Sequence, residues 1–248
     1  MSSDPAIESE SRLVWLREEP CSRSPAHSRA RIAAVAVELA DSEGFEAVSM
    51  RRVAQELGAG TMTLYHYVAN KDELVTLMAD AVMGEILIPA GQLPTGWRPA
   101  MAAIATSSRK ALQCHRWMLD RLGDGRPGPN GMRHFEQSLE AMAGAGISSR
   151  AMFEAIVLVD EYVFGFAIRE AQESAEHERG WAPGVREFFG RELGSGEFPR
   201  VMEFLGDDVE TAMDRVAEVF FEAGRFERGL ERLLDGIEAG MGADLPLE

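Results

Sequence analysis

From Ser28 onward, apolar residues recur at the spacing of one helix face. Ile32, Val35, Ala36, Leu39 and Ala40 follow the i, i+3, i+4 rule. Gly44 stands where a left-handed residue ends such a helix, and Phe45 is placed to fold back on it. Ser49 can cap a second, short helix with Met50, Val53, Ala54 and Leu57 on one face. Gly58-Ala59-Gly60 predicts a tight turn, and residues 61–67 a short third helix. Asn70 caps a fourth, whose apolar stripe is Leu74, Leu77, Met78, Ala81, Val82 and Ile86.

Pro89, Gly91, Pro94, Gly96 and Pro99 then interrupt the pattern and set a domain boundary. Beyond it the periodicity predicts helices over 97–109, 111–122, 132–145 (ended by Gly146), 149–173 and 208–237. The loop 123–131 reads as a Gly/Pro connector, and 174–207 as polar and Gly-rich with one short helix at 185–193. The centre of the long helix, residues 155–168, is apolar on most sides and therefore needs cover on more than one face. No strand-like alternation and no internal repeat interrupts this series, so the expectation is an all-α protein. It divides into a flexible N-terminal arm (1–27, with Leu13 to Leu16 able to dock), an N-terminal helical domain (28–90) and a C-terminal helical domain (95–240).

Charge sharpens that division. The 248-residue chain has a formal net charge of −16, yet residues 23–71 carry six cations and five acids. An acidic body and a near-neutral N-terminal segment are two modules with different surfaces. Two cysteines, Cys21 and Cys114, fit no metal or redox spacing, which points to a reducing cytoplasm. No apolar run approaches the roughly 18 residues that span a bilayer, and MSSDPAIESE lacks the basic and apolar regions of a secretory signal.

Two short helices joined by a glycine turn, with small Ala54 at their crossing, fit a helix-turn-helix. The third helix is a poor core element and a good reader. Thr61, Thr63, His66 and Tyr67 supply hydrogen-bonding groups, Met62 can touch a thymine methyl, and Leu64 can point inward. Ser49, Arg51, Arg52 and Lys71 surround it as phosphate-clamping groups.

These pieces carry a resemblance. Residues 28–39 (SRARIAAVAVEL), Glu43-Gly-Phe45, 49–58 (SMRRVAQELG), Thr63-Leu-Tyr-His-Tyr67 and Asn70-Lys-Asp-Glu-Leu74 together resemble the N-terminal domain of the tetracycline-repressor (TetR) family. The resemblance implies that 61–67 is the recognition helix. It also implies that Arg51, Thr63, Tyr65, Tyr67 and Lys71 stand where the family contacts DNA. More loosely, Gly96-Trp-Arg98, His115-Arg-Trp117, Gly128-Pro-Asn130, 160–166, 226–230 and 234–237 resemble that branch's C-terminal ligand-binding and dimerisation domain. His115-Arg-Trp117 departs from the His-Pro-Trp common there.

One helix-turn-helix reads too few base pairs for selectivity, so a homodimer on a palindromic double-stranded operator is expected. Phe164, Phe166, Phe220, Leu230 and Leu234 are the candidates for a four-helix interface. The helices of 97–173 can surround a pocket for a small apolar or aromatic effector, lined by Trp97, Met101, His115, Trp117, Met118, Met132, Phe135, Met142, Phe153 and Tyr162. Taken singly, each of these large residues belongs more often to a plain core than to a ligand contact. The expected function is a ligand-responsive transcriptional regulator, a repressor by the family's commoner behaviour.

No HExxH, Walker A or GxSxG pattern is present. Residues 123–131 have phosphate-loop glycines without the Lys-Ser/Thr pair, and no catalytic residue or cofactor is expected. Glu176-His177-Glu178 reads as solvated surface rather than a metal site, and a pairing of His115 with His134 is a minor alternative. The rival reading is a helical protein that binds a small molecule or partner and no DNA. The polar reader helix beside Arg51, Arg52 and Lys71 argues against it.

Overall fold

The computed structural model describes residues 13–20, 28–121, 128–179, 183–206, 208, 211–212, 215, 218–219 and 222–241. Among them every regular element is helical. They fall into two compact units, residues 1–163 and 164–248.

In the first unit, α1 (Arg29–Glu43) opens where Ser28 Oγ accepts the Arg31 amide at 3.1 Å, and closes at Gly44 with φ 88°. Gly44 N–H returns to the Ala40 carbonyl, the bond such a left-handed residue makes. α2 (Met50–Glu56) is capped by Ser49 and α3 (Thr61–Tyr67) follows the Gly58 turn. α4 (Lys71–Ile86) starts from Asn70, whose side chain accepts the Glu73 amide at 2.9 Å. Ile32, Val48, Val53, Leu64, Val68, Leu74 and Met78 are at most 1% exposed and fuse the four helices. Each such side chain stabilises the fold by about 1.5–3 kcal/mol on burial, enough to hold helices too short to persist alone.

α4 is shared. It packs on α1 and also on α5 (Trp97–Cys114) and α6 (Pro129–Met142). The compact unit thus runs straight through the Pro/Gly-rich break at 89–99 and ends inside α7 (Ser149–Arg179). Where helices were expected over 97–109 and 111–122, one α-helix runs unbroken over Trp97–Cys114. It ends at His115, whose φ −112° and ψ 59° leave the helical region, and a 3₁₀ segment Arg116–Arg121 follows. Met101, Ile104, Ala105, Ser108 and Leu112 continue one buried stripe past the point where a break was expected.

In the second unit, the segment 174–207, expected as mostly irregular, is largely helical. α7 continues to Arg179, and α8 (Pro183–Gly194) and α9 (Pro199–Leu205) follow. Leu193, Leu205 and Ala212 form a small core, with Met202 against it. α10 (Arg225–Gly240) begins only after Gly224 at φ 78°, so the described part of 208–237 contains a break.

Within the expected arm, residues 14–16 form a 3₁₀ turn with Val14 buried, at the place where Leu13 to Leu16 were expected to be able to dock.

Candidate nucleic-acid interface and the joints behind it

The helical repeat sorts α3 into two faces. Met62 (72% exposed), Tyr65 (44%) and exposed His66 form the outer face; Leu64, Tyr67 and the following Val68 form the inner one. Thr61 and Thr63 are half-buried at the margin. Tyr67, expected among the readers, is only 6% exposed and belongs to the core because its position repeats that of Leu64. Arg51 is exposed in the first turn of α2. Arg52, expected as a phosphate clamp, is instead engaged by two carboxylates, Glu43 at 2.7 Å and Glu56 one turn on. Those partners hold its guanidinium firmly protonated and occupied. Lys71 is exposed, its Nζ 5.0 Å from the centre of the Phe45 ring, and Phe45 stacks on Trp117 at 5.9 Å.

The end of α3 is tied from behind. Arg29 Nε donates to the Tyr67 carbonyl at 3.1 Å and its Nη1 to the Arg17 carbonyl at 2.8 Å. Glu73 accepts the Ala69 amide at 2.7 Å and pairs with Arg17. Nothing in the local sequence marks Arg29 or Glu73 for this role, because their partners lie in other elements.

Two polar joints connect α1, α4, α5 and α6. His115 is buried with Nδ1 2.9 Å from an Asp41 carboxylate oxygen and Nε2 3.0 Å from Glu85. Trp117 Nε1 donates to the same Asp41 at 2.9 Å. Burial pushes the His115 imidazole down, but the two carboxylates outweigh it and raise its pKa. The second joint is Asp80, a buried acid inside the apolar stripe of α4. Its Oδ1 accepts the amides of Asn130 (2.8 Å) and Gly131 (3.1 Å), while Asn130 Nδ2 donates to the Asp80 carbonyl. α6 has no side-chain cap of its own and borrows this one from α4. Burial raises the Asp80 pKa, partly offset by those amides. An acid within an apolar stripe was the one signal that could have found it.

Of the residues expected around a pocket, His115 and Trp117 have their polar atoms engaged by carboxylates where the end of α5 meets α1 and α4. Met101 and Met142, each 1% exposed, and Met118 lie in the core. Trp97 and Tyr162 are half-buried. Phe135 and Phe153 meet edge to face at 5.9 Å, with Phe153 and Met132 more than half exposed. His134 does not pair with His115; its Nε2 lies 3.8 Å from Asp160.

Of the expected interface residues, Leu230 and Leu234 are covered by their own chain, at 3% and 0% exposed, because they carry the buried stripe of α10. Phe166 packs edge-on against Phe226 at 5.1 Å with the Arg225 guanidinium over it, and Phe164 is half-buried. Phe220, and the side chains of Glu176, His177 and Glu178, lie outside the described residues.

The profile of "Bacterial regulatory proteins, tetR family" matches residues 32–78, and that of "Tetracyclin repressor-like, C-terminal domain" matches residues 90–241. The chain belongs to the TetR family. This TetR-family chain is 35% identical over 237 residues to the HTH-type transcriptional repressor DrrR1 of Streptomyces coeruleorubidus, covering 91% of this chain and 83% of that one. An HTH-type transcriptional regulator of Saccharopolyspora erythraea is 32% identical, with 88% and 93% covered. Among solved structures, Streptomyces coelicolor ActR in complex with actinorhodin superposes with a TM-score of 0.69 at 29% identity, covering 90% of this chain and all of that one. Apo ActR gives 0.67 at 27% identity over the same share of this TetR-family chain.

Proposed function

We propose that the protein is a ligand-responsive transcriptional repressor that binds a palindromic DNA operator as a homodimer in the cytoplasm and is released by a small apolar or aromatic molecule. The observation that carries the reading is the outer face of α3. Met62, Tyr65 and His66 stand in solvent on a helix pinned by Leu64, and Arg51 and Lys71 are exposed at the starts of α2 and α4. A face of this kind offers a methyl contact, aromatic surface and hydrogen-bonding groups to a major groove. Membership of the TetR family and the likeness to the repressor DrrR1 support it.

For the effector, support comes from ActR, solved in complex with actinorhodin, and from exposed Met132 and Phe153, with half-buried Phe135 against Phe153, on α6 and α7. Asp80 joins α6, and His115 the end of α5, to α4, so a ligand that prefers one arrangement of α5 and α6 acts on α4. The size of the switch is the ligand's differential affinity for the two states. Nothing in this reading calls for a catalytic residue or a cofactor. No helix among the described residues is long and apolar enough to cross a membrane.

The test is selection from a random duplex pool at near-physiological salt, repeated with Tyr65→Ala and Arg51→Ala. A palindrome is expected for the natural protein. Tyr65→Ala should relax base preference, and Arg51→Ala should weaken binding on all sequences, each by about tenfold or more. No enrichment at any salt overturns the proposal.

A further inference from the structure

Residues 13–20 touch both ends of the machinery at once. At one end Arg17 pairs with Glu73, which also accepts the Ala69 amide, while the Arg17 carbonyl accepts Arg29, which holds the Tyr67 carbonyl at the last turn of α3. At the other end the Trp15 ring lies over Gly128, the residue from which α6 starts. A Cβ built on Gly128 would collide with the Asp80 carboxylate and fall 2.7 Å from Trp15 Cζ2. Val14, at 2% exposed, anchors the turn between them.

We infer that residues 13–20 form a strap that ties the C-terminal end of the reader helix to the first turn of α6, so that the reader's position depends on Trp15 and Arg17. The inference rests on the regulator reading above, since it assigns α3 to DNA. The contact at Gly128 has a built-in reason to let go. The Trp15 indole N–H is buried without an acceptor, so undocking the ring trades apolar contact for a recovered hydrogen bond to water. Packing that depends on a missing Cβ is also sensitive to a small shift of α6, because close-packed contacts do not deform gradually. A displacement of the α6 first turn would therefore reach α3 through the strap as well as through α4.

The test uses the full chain with Trp15→Ala and, as a milder change at the other end, Arg17→Gln. Amide hydrogen exchange on the free protein reads both ends without DNA: residues 68–73 behind the reader, and residues 130–133 at the start of α6. The strap predicts that each substitution speeds exchange at the far end as well as its own, while residues 101–105 inside α5 stay protected as a control for folding. It further predicts that both variants bind the selected palindrome at least about fivefold more weakly than the natural chain. Faster exchange confined to each variant's own end overturns the strap, as does unchanged operator affinity with both ends loosened. A natural chain that selects no duplex counts against the regulator reading and leaves the exchange experiment to decide the strap. If Trp15→Ala does not fold, Arg17→Gln decides through exchange at 130–133.

Discussion

His115 is held by carboxylates from two different helices, Asp41 on α1 and Glu85 on α4, which makes one imidazole a report on how α5 sits against both. Its pKa is raised above 6.5 in the folded protein, against the pull of burial. A raised pKa means the folded state binds the proton more tightly than the unfolded chain. The resulting stabilisation is therefore complete below about pH 6.5 and is lost as pH rises through the raised folded value. Melting of the natural chain should fall over that interval relative to His115→Gln, which cannot titrate. Parallel pH profiles for the two proteins would show that His115 contributes no such term.

Between elements, the decisive contact is the loan of Asp80 from α4 to the start of α6. α6 opens at Pro129 after Gly128, and neither residue has a side chain that can accept the amides of Asn130 and Gly131. Pro129 suits the first turn because its own amide would be unpaired there. Asp80→Ala leaves the Asn130 and Gly131 amides without an acceptor and should destabilise the protein by about 1–3 kcal/mol in urea unfolding. Asp80→Asn keeps an oxygen in place and removes a charge that burial disfavours, so its loss should be clearly smaller. Equal losses would mean that the charge, and not the cap, holds the joint. The Ser49 and Asn70 caps work locally, within a few residues of chain; the Asp80 cap works across 50 residues and can therefore couple two parts of the molecule.

At the scale of the whole molecule, α7 carries exposed apolar positions among the described residues. Leu158 (46% exposed), Gly165 and Ile168 (37%) repeat along it at helical spacing, and a Cβ at Gly165 would meet nothing within 4 Å. In the proposed homodimer, Leu158 and Ile168 are the residues we expect a second copy to cover, since Leu230 and Leu234 are already buried in their own chain. Leu158→Asp with Ile168→Asp should raise the dimer dissociation constant by about tenfold or more in a light-scattering dilution series, while Tyr65→Ala leaves it unchanged. A natural chain that stays monomeric at micromolar concentration, or a double variant that dimerises as before, would remove the face from consideration.

Much of the head was legible in the residues because its determinants are local. Ser49, Asn70 and Gly44 act on the amides and carbonyls of their own turns, and the third helix spans the expected residues, Thr61–Tyr67. Periodicity likewise separated Leu64 from Met62. It could not separate Tyr67 from Tyr65 by residue type, since a tyrosine suits either face. What required the tertiary structure were pairings between distant elements. Arg52 finds Glu43, His115 finds Asp41 and Glu85, Trp15 finds Gly128, and Met101 and Met142 prove to be core. The apolar residues of α8 and α9 acquire a reason to be helical only when Leu193 and Leu205 meet. Local pattern determines which backbone groups a turn can satisfy by itself; where a side chain spends its charge or its apolar surface depends on neighbours that only the folded chain brings near.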